Sequence, residues 1–265
     1  MLASYTEAVS TVTTGAHPLT ARSVLLSLLL GSTPPRSPVA QLVRTAGMFG
    51  IAEGTTRTAL SRMSGAGEVT ASDGWYEITS ERLLARQRRQ LESRSATTVI
   101  WEPPSWRGAV IVTDGRRAAT DRARLRDELT RARLAELREG VWLRPDNLPP
   151  TSIDAPEVQW FKIEPASDPV ALAADLWGLA GWSAGAADLL GAMDALLAPL
   201  DRRDHRALAD GFVTSAAVLR HFQADPLLPP ELLPNSWPGH NLRARYDRYD
   251  AAYRACLAEF FRADS

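Results

Sequence analysis

The chain has 265 residues, of which 45% are hydrophobic, and a formal net charge of −1. A length above the ~100–200 residues of one domain predicts two or three, and the apolar content is that of an ordinary globular protein with no run approaching about 18 apolar residues, so no membrane span is expected. A single cysteine, Cys256, excludes an intrachain disulfide, the four scattered histidines (His17, His205, His221, His240) leave no structural zinc set, and no basic residue precedes Arg22 as a secretory signal would require; a cytoplasmic location is expected.

The near-zero net charge hides an asymmetry. Residues 1–138 hold 19 Lys+Arg against 13 Asp+Glu, and residues 139–265 hold 11 against 18. A basic first half suits a polyanion, and an acidic second half opposes unspecific coating by one. Of the 30 basic residues only Lys162 is lysine.

In chain order, residues 1–18 are rich in Ser, Thr and Ala and read as a loose arm. Thr20 is positioned to cap a helix over 20–30, which Gly31 and the prolines at 34 and 35 end. A second helix is expected over 37–48, with Ser37 as cap, Pro38 at its first position and Val39, Leu42, Val43 and Ala46 on one face. The third, over 53–64, should bury Ala59, Leu60 and Met63. Two short strands over 69–79 around Asp73-Gly74 form a hairpin signal, with Trp75 and Tyr76 expected to pack back onto the third helix. Three helices and a hairpin in about sixty residues describe a winged helix-turn-helix over 20–80.

A basic helix over 81–96, with Leu83, Leu84 and Leu91 on its apolar side, forms a linker through 98. A strand at 106–113, an amphipathic helix at 119–134 and strands at 140–144 and 158–163 suit a ferredoxin-like α+β domain over 99–166. From 167 the chain reads as a mostly helical effector or dimerisation domain, with helices over 169–182, 186–200 and 204–223, the last capped by Asp204, and a closing helix over 242–261. Between the last two lies Asp225 to Gly239, DPLLPPELLPNSWPG. Its five prolines forbid a helix or central strand, and its leucines and tryptophan predict an extended band across an apolar surface.

That band carries a resemblance. Asp225, Pro226, Leu228, Pro229, Leu232, Leu233, Pro234, Trp237 and Gly239 fit the C-terminal signature of the PaaX family of bacterial transcriptional regulators. Arg22, Ser23, Leu25, Leu28 and Gly31, then Arg57, Thr58, Ala59, Ser61 and Arg62, resemble the family's N-terminal module. WRG at 106–108 and GVWLRP at 140–145 resemble its central landmarks. The hairpin departs from the family, having Asp73 and Glu77 where many members carry arginines.

The resemblance implies a repressor of a catabolic or secondary-metabolic operon, released by a small-molecule effector such as an aryl-acyl-coenzyme A thioester; it is expected to bind double-stranded operator DNA as a homodimer, because operators of helix-turn-helix proteins are commonly two-fold related. On the third helix Thr55, Thr56, Arg57 and Ser61 are candidates to face DNA, Arg57 as a bidentate reader of guanine and Arg62 as a phosphate contact. For the effector, the second half supplies aromatic residues (Trp177, Trp182, Phe212, Phe222, Trp237, Tyr246, Tyr249) and arginines at 202, 203, 206, 220, 243 and 245. Trp177, Arg220, His221 and Trp237 are the candidate pocket members. No cofactor or catalytic motif is present. The alternative is a metal-dependent nuclease on the central domain, for which Asp114, after the first strand, is the one candidate ligand.

Overall fold

The computed structural model describes residues 19–112, 119–149, 153 and 155–263. The protein is α+β, mostly helical, with two small antiparallel sheets. The loose-arm expectation for 1–18 lies outside the described residues. No described helix is long and apolar enough to cross a membrane.

The chain divides into two compact units. The first comprises residues 1–95, 185–223 and 239–265; the second comprises 96–184 and 224–238. This differs from boundaries drawn along the sequence. The basic helix belongs with the N-terminal elements, and the helical region after 167 is shared out between the units, because segments far apart in sequence pack on one another.

In the first unit, α1 (Ala21–Gly31) is capped as its sequence requires. The Thr20 side chain accepts from the Ser23 N–H, and the Ser23 hydroxyl side accepts from the Thr20 N–H. Helices α2 (Val39–Gly47) and α3 (Glu53–Gly65) pack on it and on each other. Ser37 does not cap α2. It lies in a short strand, β1 (Arg36–Pro38), and sits opposite Tyr76. Strands β2 (Val69–Ser72) and β3 (Trp75–Ile78) flank Asp73-Gly74 as the turn signal demands, and the sheet order is β1-β3-β2. Leu25, Leu29, Leu42, Leu60, Met63, Val69 and Ile78 form the core, joined by Leu83 of α4 (Glu81–Ser95). Trp75 does not pack onto α3: it is 42% exposed, with the Arg36 guanidinium 5.2 Å from its ring.

The helical residues 185–201 and two later helices, α8 (Leu208–Gln223) and α9 (Gly239–Arg262), complete this unit. The last two approach closely at Gly211. A Cβ there would lie 2.8 Å from Tyr253 Cδ2, and Tyr249 donates its hydroxyl to the Gly211 carbonyl at 2.9 Å. Arg44 of α2 donates to the carbonyls of Phe260 and Phe261 and stacks on the Phe260 ring at 4.3 Å.

The second unit holds a four-stranded sheet of β4 (Trp106–Ile111), β5 (Ala135–Arg138), β6 (Val141–Pro145) and β7 (Val158–Ile163), in the order β5-β6-β4-β7 and antiparallel throughout. Helix α5 (Ala119–Arg131) lies in sequence between β4 and β5. Strand β5 is an addition to the three strands expected; AELR is too short and too polar to announce itself.

Helix α6 (Pro169–Trp177) is capped by Asp168 and ends at a left-handed Gly178. Helix α7 (Leu179–Asp201) then runs unbroken, so the interruption falls at 178 and not between 182 and 186 as expected. The proline band belongs to this unit. It is irregular, with a left-handed residue at Leu227, one 3-10 turn over Pro230–Leu232 and a turn in which the Trp237 N–H donates to the Pro234 carbonyl at 2.9 Å, and it buries Leu228 and Leu232 with Trp106, Leu143, Ala173 and Leu179. Trp237 stacks on Trp182 with ring centroids 4.4 Å apart.

Polar contacts hold the start of the band. Asp225 accepts from the Leu227 N–H at 2.9 Å while Arg133 donates to the Asp225 carbonyl. The Asn147 amide donates to the Leu227 carbonyl at 2.8 Å and accepts from the buried Arg144 at 2.7 Å. Arg144 also donates to the carbonyls of Ala132 and Pro145. Asn147→Ala removes an acceptor from a buried guanidinium and a donor from the band together. We expect a loss of about 2–3 kcal/mol, the scale of a buried charged hydrogen bond left unmade, read as a lower urea midpoint.

Candidate functional site

Helix α3 has two faces of different chemistry. Leu60 and Met63 are buried against α1 and α2, with Ala59 partly so. Thr55, Arg57, Thr58, Ser61 and Arg62 are exposed. Thr56, expected on the outer face, is fully buried. Its hydroxyl donates to the Ala52 carbonyl at 3.1 Å, one turn back, so it packs the helix and is withdrawn from any partner. The other four candidates of this helix remain on the surface. Arg57 is held by Glu53 one turn earlier, with its Nε at 2.8 Å from the carboxylate.

An open groove of about 880 Å3 runs beside α3 and the N-terminus of α1, lined by Thr20, Arg22, Thr55, Thr58, Arg62 and Glu68 among others. Arg22 pairs with Glu68 at its rim, and that hydrogen bond raises the guanidinium pKa above its ordinary value. The hairpin tip, Ser72 to Trp75, carries no basic residue.

Of the four effector candidates, Trp177 and Trp237 belong to the second unit and Arg220 and His221 to the first. Trp177 packs toward Trp106, with centroids 6.2 Å apart, in the core of the second unit, and Trp237 stacks on Trp182 there. Both are half-buried and pack against the core of that unit. His221 lies against Gly185, its Cε1 3.0 Å from where a Cβ would stand. Arg220 alone lines a cavity, of about 370 Å3, within the first unit. Phe212 and Tyr246 line it as well, together with Arg86, Arg94 and Arg254. Arg86 and Leu91 are pocket residues that the sequence did not offer. Leu91 reads as the buried side of a helix but is 45% exposed, because it faces this cavity.

Asp114 lies outside the described residues. Among the described residues no group of three or more His, Cys, Asp and Glu side chains is placed to hold a metal ion.

Residues 20–81 match the family model described as PaaX-like protein, and residues 177–263 match that of the PaaX-like protein C-terminal domain. No curated protein matches the chain. Among solved structures, the chain is similar to the uncharacterized protein Rv0674 from Mycobacterium tuberculosis at 40% identity, with a TM-score of 0.72 over 91% of this chain and 98% of that one.

The two faces of α3 predict opposite responses to the same substitution. Thr56→Lys places an ammonium in the core and should cost about 3 kcal/mol or more, whereas Thr55→Lys should stay within about 0.5 kcal/mol, both read by chemical denaturation.

Proposed function

The chain belongs to the PaaX-like protein family, and on that premise we propose that it is a DNA-binding transcriptional regulator, a repressor released by a small-molecule effector, and not an enzyme. The observation that carries the reading is α3. Its Thr55, Arg57, Ser61 and Arg62 form an exposed polar and basic face on a helix whose other face is locked into a three-helix core. A helix so held presents side chains to the major groove without having to order itself first.

The three packed helices with the β1-β3-β2 sheet support a winged helix-turn-helix. The acidic hairpin tip assigns the wing a small share of the phosphate contacts, leaving specificity and affinity to α3 and its surroundings. In the second unit, the order β5-β6-β4-β7 around one crossover helix supports a ferredoxin-like domain. Its edge strand β7 exposes Trp160 and Phe161, which supports a homodimer, and two-fold operators suit helix-turn-helix dimers. Phe161→Glu should leave the fold intact and convert the dimer to monomer in sedimentation; a wild-type monomer at micromolar concentration would remove the dimer.

The central test is selection of a binding sequence from random duplex DNA followed by titration. Arg57→Ala should weaken the selected site by about 1–3 kcal/mol, the scale of a lost base contact, with much less effect on scrambled DNA. Wild-type affinity should fall steeply with salt as arginines displace condensed counterions. Failure to enrich any sequence, or a salt slope near zero, would refute DNA as the partner.

A further inference from the structure

The cavity in the first unit combines features that together specify a ligand. Its walls come from three distant parts of the chain: the end of α1, the helix α4, and the pair α8 and α9. Leu28, Leu30, Leu91, Phe212, Leu219 and Leu257 supply an apolar lining. Four arginines also line it, and they fall into two classes. Arg94 is neutralised by Asp247 at 2.8 Å and Asp250 at 3.0 Å, and Arg254 by Asp250 at 3.0 Å. Arg86 of α4 and Arg220 of α8 have neither a hydrogen bond nor an acidic partner among the described residues, and they repel each other. Partial burial pulls the Arg86 guanidinium below its ordinary pKa, and the charges of Arg22, Arg89, Arg220 and Arg82 add to that effect. The buried Tyr253 hydroxyl, on a residue of the same lining, has no hydrogen-bond partner among the described residues. Two converging cations without an anion, beside an apolar wall and an unused hydroxyl, form a site that is incomplete without a ligand.

We propose that this cavity binds a compact organic carboxylate, its apolar body against Leu91, Phe212 and Leu219 and its charge between Arg86 and Arg220. The proposal rests on the regulator reading and gives its effector a site and a class. A volume of about 370 Å3 is at the lower end of the ~300–1,000 Å3 of small-molecule sites, which suits a compact acid. The site also reaches the helix-turn-helix directly. Gly31, Ser32 and Thr33, at the end of α1, line the cavity, and Arg254 donates to the Gly31 carbonyl at 3.2 Å. A ligand that draws Arg86 and Arg220 together therefore presses on the element against which α3 is packed. It releases DNA if the DNA-bound arrangement holds the cavity less favourably.

The test uses the full-length protein with benzoate, octanoate, inorganic phosphate and benzoyl-coenzyme A as probes. Thermal shift and affinity for a selected DNA site are read in the same samples. Benzoate or octanoate at millimolar concentration should raise the melting temperature and lower DNA affinity several-fold. Arg86→Gln and Arg220→Gln should each weaken both responses at least tenfold, while Arg138→Gln, an exposed arginine of the second unit, leaves them unchanged. No response to either acid, with wild-type DNA binding intact, overturns the site and spares the regulator. Equal response to inorganic phosphate overturns the apolar half of the assignment, and response to benzoyl-coenzyme A alone overturns the ligand class. Acid binding without any DNA binding would instead keep the site and refute the regulator.

Discussion

A helix leaves the last four carbonyls of its backbone without partners, and the first unit is arranged around satisfying those of α1. The buried Gln87 of α4 donates its amide to the carbonyls of Leu30 and Ser32, at 3.2 and 2.7 Å. Arg254 of α9 takes the carbonyl of Gly31. Arg254 is itself held by Asp250, which is only 8% exposed and also receives Arg94. A carboxylate this buried is costly unless fully paired, and two guanidiniums pair it. Arg94 lies 5.0 Å from the Tyr246 ring, which in turn meets Phe222 edge-on. From the end of one helix a single polar chain therefore fixes the rotation of α4 and α9 about their own axes. The apolar residues add the attraction, but they do not set this register.

The second unit solves a related problem with the opposite sign. Arg144 is 4% exposed and hydrogen-bonds to no carboxylate among the described residues. Burial, with Arg133 and Arg107 adding, pulls its pKa down to about 9. Its acceptors are two main-chain carbonyls and the Asn147 amide oxygen, and these make the planar fork useful as a template. Lysine would offer the charge without the geometry. The band begins where this fork ends, since Asn147 passes the contact on to Leu227. Leu227 sits at φ +51, with its N–H held by Asp225. The aspartate and the first leucines of the proline signature are thus fixed by local geometry and the later ones by the apolar floor.

Local signals were legible in the sequence. Thr20 caps α1, Asp73-Gly74 turns the hairpin, Asp204 starts its helical turn, and the prolines at 226–238 keep the band out of any long helix. Signals that depend on a distant partner were not. Thr56 and Arg57 are adjacent and both polar, and only the packing of α3 says which one is buried. Leu91 and Trp177 are both large and apolar; one faces a cavity and the other a core. Strand β1 is three residues that exist because β3 is beside them. The cavity draws on segments around residues 30, 90, 215 and 250. No window of sequence contains it, so Arg220 could be suspected from its neighbours whereas Arg86 reads as one more charge on a basic helix.

The contacts of Arg44 with the carbonyls of Phe260 and Phe261 join residues 216 and 217 positions apart. The first unit therefore opens the chain and also closes it. During synthesis, the helices that carry α3 emerge before α8 and α9, which follow the strands of the second unit in the chain. Until then the end of α1 faces water in place of Arg254, and α2 is without the rings that cover Arg44. A polypeptide cut after Pro238 would keep every segment of the second unit and lose α9 from the first. Loss of α9 is thereby a lesion in the unit that holds the N-terminal helices.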